Sequence, residues 1–184
     1  VSHSKSRSGT KRTREPHVLF AGALWGASSL LIAIAVVLVV VGLALKPASW
    51  PFTVAFYPLA LAAAALLTLL ITTLPREEAY EWNADFTAFP GVIRWPLAVG
   101  AWIGHGVVIA VDLVSVFSPS SSTALLSASS RASVSVLAVL GAIASVFTLQ
   151  ATPVKIALFV AWGLIVLISV VRGIYGFIRE ATSR

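Results

Sequence analysis

Apolar residues dominate five stretches of the chain, and polar residues collect between them. The first stretch runs from about Val18 to Leu45 and is closed by Lys46-Pro47. The second, Phe52 to Leu74, ends at Pro75-Arg76, and the third, Val92 to Phe117, ends at Ser118-Pro119. The fourth, Ser133 to Gln150, is the shortest. The fifth opens at Thr152-Pro153, an N-cap residue followed by proline at the first helical position, and continues to about Ile178. A helix needs about 20 residues to cross the hydrocarbon layer, with about 17 as the lower bound. Four of the stretches clear this comfortably and the fourth only just. Free backbone amides find no partner in lipid, so each stretch is expected to be helical.

Composition moves this pattern into a membrane. Of 184 residues, 58% are hydrophobic and 11% charged, against about half and about a quarter in ordinary soluble domains. So short a chain cannot hide that much apolar surface within itself, because small domains leave much of their surface exposed. The expected fold class is an all-α integral membrane protein, a small multi-pass bundle of five transmembrane helices. Four crossings with a re-entrant fourth segment are the alternative. There is no cysteine, which excludes disulfides, thiolate metal sites and cysteine nucleophiles. Three histidines, His3, His17 and His105, are too few for a site of several imidazole ligands from one chain.

Charge orients the bundle. The net charge of +6 is unevenly placed: VSHSKSRSGTKRTREPH, residues 1–17, carries Lys5, Arg7, Lys11, Arg12 and Arg14 against Glu15. Such a segment has nothing to bury and is expected to be disordered. The apolar run behind it exceeds the about 7–15 residues of a signal peptide, so the tail is expected to be retained. With five crossings the tail side holds eight of the 13 lysines and arginines, and the other side holds Lys46, Arg131, Arg172, Arg179 and Arg184. The excess of positive charge predicts a cytoplasmic N-terminus. The C-terminal arginines, in the short polar end 179–184 and just before it, suit the re-entrant alternative better.

Two connections have distinct compositions. SPSSSTALLSASSRAS, residues 118–133, reads as a serine-rich low-complexity loop. PREEAYEWNADFTAF, residues 75–89, holds Glu77, Glu78, Glu81 and Asp85, four of the seven acids. At 100° per residue Ala79, Trp82, Phe86 and Phe89 share one face, which predicts a short amphipathic helix at the membrane interface with its aromatics toward lipid. The acids share a sector but lack the loop geometry of a calcium site, so no metal is expected there.

Within the apolar stretches two features carry candidate chemistry. His105 and Asp112 stand seven residues apart, on one face of a helix and about 10 Å apart along its axis. Polar groups inside a span usually face protein or a watery cavity, so the pair is expected to mark a buried polar stripe or, in the sharper version, an ion path. The GxxxG spacings Gly22/Gly26 and Gly100/Gly104 let two backbones approach closely, within the chain or between copies. The basic tail is suited to anionic lipid or, without sequence preference, to nucleic acid.

No GxSxG elbow, HExxH pair or phosphate-cradling glycine loop occurs in the sequence, so neither enzymatic activity nor a cofactor is expected. The expected function is that of a structural or accessory membrane subunit, packing with itself or with a larger complex. Its tail would contact lipid, a partner, or nucleic acid if the membrane belongs to a virion. A small channel or transporter component conducting protons or cations past His105 and Asp112 is the alternative.

Overall fold

The computed structural model describes residues 16–45, 49–72, 86, 89–116 and 122–182, with the backbone alone at 16–18, 112, 114–116, 122–132, 176–177 and 179–181. The basic tail through Glu15 and the segment 73–85 lie outside the described residues. Among the described residues six helices follow in chain order: α1 (Pro16–Ala44), α2 (Trp50–Val54), α3 (Phe56–Thr72), α4 (Gly91–Val116), α5 (Ser122–Val146) and α6 (Thr152–Thr182). Among the described residues the architecture is all-helical, and four rods are long and apolar enough to cross a membrane: Leu19–Ala44, Trp50–Thr72, Gly91–Val111 and Thr152–Tyr175.

Prolines explain several of these boundaries. Pro16 opens α1, a position where its missing N–H costs nothing. The Trp50–Thr72 rod is interrupted at Ala55 because Pro58 cannot donate to the carbonyl of Val54 and its ring clashes there. The backbone nonetheless closes across the break, with Ala55 N donating to Pro51 O at 2.9 Å and Leu59 N to Ala55 O at 3.4 Å. At the start of α6 the carbonyl of Ala151 accepts from both Val154 N (3.0 Å) and Lys155 N (3.1 Å), directly after the expected Thr152-Pro153 start.

One expectation needs correction here. The serine-rich segment expected as a loop is helical from Ser122 onward. Between Pro119 and Gly141 the sequence contains neither proline nor glycine, and its alanines and leucines favour helix, so nothing stops α5 from extending backwards. α6 continues into the polar end 179–184 as far as Thr182, whose hydroxyl donates to Ile178 O at 3.0 Å.

Helices α1, α3 and α5 occupy the middle of the bundle, with α3 packed against α1, α2, α5 and α6. α1 packs against α2, α3, α4 and α5, whereas α5 packs against α1, α3, α4 and α6. Each contributes a stripe at helical spacing: Trp25, Ile32, Ala35 and Val39 from α1, and Val134, Leu137, Ala138 and Ala144 from α5. Leu59, Ala62, Leu66 and Leu69 of α3 and Leu158, Trp162 and Ile165 of α6 complete the core. The outer surface is apolar as well: Val37, Leu61, Ile71, Leu113 and Leu167 are each 58% or more exposed. Soluble domains rarely present apolar residues so continuously.

Candidate functional site at the α1–α4 crossing

Helical register places Leu97, Gly100, Gly104 and Val108 on one face of α4, and all four are buried. That face meets Trp25, Gly26, Ser29 and Leu30 of α1. The fit depends on missing side chains. A β-carbon on Gly26 would lie 2.6 Å from the carbonyl oxygen of Leu97, and one on Gly100 would run into the carbonyl oxygen of Gly26. One on Gly104 would meet the Trp25 indole nitrogen and lie 2.7 Å from Ser29 Oγ. Here backbone lies directly on backbone, the contact that replaces hydrophobic drive between helices in lipid. Three of the four expected packing glycines, Gly26, Gly100 and Gly104, therefore form a single seam within one chain. Gly22 sits half-buried one turn earlier on α1.

His105 follows Gly104 by one residue, a rotation of about 100° around the helix. That rotation takes it off the seam, and it is exposed, beside Trp102 at 83% exposure. The buried polar stripe expected around His105 is thus not formed within one chain. The side that α1 covers runs through Gly100 and Gly104, and both glycines are spent on that contact. Position 112 lies in α4, with its side chain outside the described residues.

The remaining candidates divide likewise. Lys5, Arg7, Lys11, Arg12, Arg14, Glu77, Glu78, Glu81, Trp82 and Asp85 all lie outside the described residues. Phe86 and Phe89 are described, and Phe86 is buried at 8% exposure instead of facing lipid. A turn holds the two together: Phe89 N donates to Phe86 O at 3.0 Å, and the ring centroids stand 6.3 Å apart. Among the described residues no cluster of three or more histidines or acids could hold a metal ion.

A second seam, between α5 and α6, escaped sequence reasoning. Gly141 and Ser145 stand one turn apart on α5, and the Trp162 ring of α6 lies against them. Trp162 Nε1 donates to Ser145 Oγ at 3.0 Å, and Ser145 Oγ donates to Gly141 O at 2.7 Å. Thr148 Oγ1 adds a bond to Ser145 O at 2.8 Å. A buried indole N–H usually finds a partner, so a tryptophan within an apolar stretch was the available signal. Outside this seam an open apolar groove of about 530 Å³ runs between Val139, Ile143, Phe159, Val166 and Val170.

No family model, curated protein or solved structure matches this chain.

Proposed function

We propose that this chain is a non-enzymatic structural or accessory subunit of a membrane, an integral multi-pass bundle whose role is to pack with other chains. The observation that carries this reading is the Gly26–Gly100–Gly104 seam, in which the small residues of α1 and α4 serve helix packing instead of lining a reactive site. Ser28 donates to Trp25 O at 2.9 Å, and Ser145, Thr148 and Trp162 bond one another or the adjacent backbone.

In this reading the bundle crosses the membrane four times, and α5 enters it without crossing. The apolar part of α5, Ser133–Val146, is shorter than the other four rods, which supports that arrangement. Both termini then face the cytoplasm, where the basic tail contacts anionic lipid, a partner chain or nucleic acid. Conduction past His105 and Asp112 has less support, since His105 does not join a polar stripe inside the chain.

Purification of the full chain in mild detergent tests the proposal. The expected result is a stoichiometric complex, with proton and cation flux at background after reconstitution. Flux that Asp112→Asn abolishes while assembly persists would overturn it in favour of a channel.

A further inference from the structure

The outer face of α4 differs in kind from the outer face of α6. The most apolar stretches of the two helices are equally uncovered, with 22% of each buried, yet that of α4 is markedly the less apolar. Trp95, Trp102 and Ile109 recur at intervals of seven and are 75%, 83% and 54% exposed. Ala98, His105 and position 112 recur three residues behind them. Alternating steps of three and four place these positions on one face of the helix, the geometry that a two-helix seam uses. Next to His105, Gly106 has open space where a β-carbon would point, so another backbone can approach.

His105 is the polar group on this face whose side chain is described. It lies in the second half of the Gly91–Val111 rod, exposed among apolar neighbours. A polar side chain inside a span normally faces protein, because lipid leaves it without a partner. Two copies of one chain inserted the same way are related by a two-fold axis along the membrane normal. Their α4 helices then run parallel, and residue 105 of each reaches the seam at the same depth. A neutral imidazole has one nitrogen that donates and one that accepts, so it is its own complement.

We propose that the Trp95–Trp102–His105–Ile109 face of α4 docks on the same face of a second copy, with the two His105 rings hydrogen-bonded across the axis. This rests on the accessory-subunit reading and gives it a first partner.

The chain has no cysteine, so single cysteines report cleanly. In native membranes under oxidation, His105→Cys and Ile109→Cys are expected to give at least about fivefold more covalent dimer than Leu164→Cys or Leu167→Cys on the exposed side of α6. Co-isolation of two differently tagged full-length copies should fall about fivefold with His105→Leu and survive His105→Gln. Equal cross-linking from α4 and α6 would overturn the proposal, as would unchanged co-isolation of His105→Leu. A complex holding one copy of this chain beside a different protein would overturn the second copy and leave the accessory role standing. A monomer free of every partner would remove both.

Discussion

The ring of Trp162 fills the space that a side chain at Gly141 would need: a β-carbon there would lie 2.5 Å from Trp162 Cζ2 and 2.6 Å from Cη2. The contact joins α5 to α6 in the way Gly104 and Trp25 join α4 to α1. An aromatic plate over a glycine recovers dispersion contact across a helix pair, and a tightly packed ring has little room to move aside. Gly141→Leu is therefore expected to destabilise the bundle by about 1–3 kcal/mol through overpacking. Gly141→Ala should show a smaller effect of the same sign. Unfolding of the purified protein in graded SDS measures both.

Buried hydroxyls in this bundle fall into two groups with opposite expected responses. Ser145 accepts from Trp162 Nε1, so Ser145→Ala leaves a buried donor unpaired and should cost about 1–3 kcal/mol. Ser29 and Ser169 are buried with hydroxyls that have no hydrogen-bond partner. Replacing either with alanine removes a desolvated polar atom and keeps the β-carbon, so Ser29→Ala and Ser169→Ala should be neutral or stabilising. The same unfolding assay, run on all three variants, distinguishes the groups by sign.

Two glycines on α4 make a matched pair. At Gly100 an added methyl meets the Gly26 carbonyl, which belongs to a helix backbone and cannot rotate away. At Gly106 an added methyl meets nothing within 4 Å. Alanine is the better helix former by about 1 kcal/mol, a gain that both substitutions share. Gly106→Ala should keep that gain in the isolated monomer, whereas Gly100→Ala should lose it and more as α1 and α4 separate. Monomer unfolding at high detergent-to-protein ratio reads the difference. Equal stability of the two variants would mean that the α1–α4 seam does not hold the bundle.

The rods themselves were legible in the sequence because their cause is local. Long apolar runs bounded by Lys46-Pro47, Ser118-Pro119 and Thr152-Pro153 lead to α1, α4 and α6 within a few residues. The start of α5 was not, since serine suits a loop and a helix almost equally and its neighbours decided for helix. The GxxxG spacing was legible as a packing signal, and which helices it would join was not. Partner choice depends on the relative rotation of α1 and α4, a property of neither segment alone. The same rotation explains His105: the sequence fixes its place on α4, and only the positions of α1 and α5 leave it uncovered. Phe86 turned inward for a tertiary reason too, as a helical wheel of 75–89 contains no information about where the bundle offers cover.

Leu149 N donates to Phe52 O at 3.4 Å, which brings the turn between α5 and α6 up to the start of α2. The Gly42–Phe52 contact keeps that start beside the end of α1, so the α1–α2 and α5–α6 turns lie at one end of the bundle. Two turns on the same side of a membrane must be separated by an even number of crossings. Three rods lie between them: Trp50–Thr72, α4 and α5. The first two have the length and apolarity to cross, and in α5 only Ser133–Val146 is apolar, about 21 Å at 1.5 Å per residue against a core of about 30 Å. Counting α5 as the rod that does not cross leaves four crossings and sends the end of α6 back to the side of the basic tail. Charge favours the same arrangement. With four crossings, Lys5, Arg7, Lys11, Arg12, Arg14, Arg76, Arg94, Arg172, Arg179 and Arg184 would fall on the tail side, and Lys46, Arg131 and Lys155 opposite. A membrane-impermeant maleimide applied to intact cells should then label Ser49→Cys and Ala151→Cys alike, and should reach Ser4→Cys and Ser183→Cys only after the membrane is opened. Labelling of Ala151→Cys together with Ser4→Cys would mean that α5 crosses, and the count would return to five.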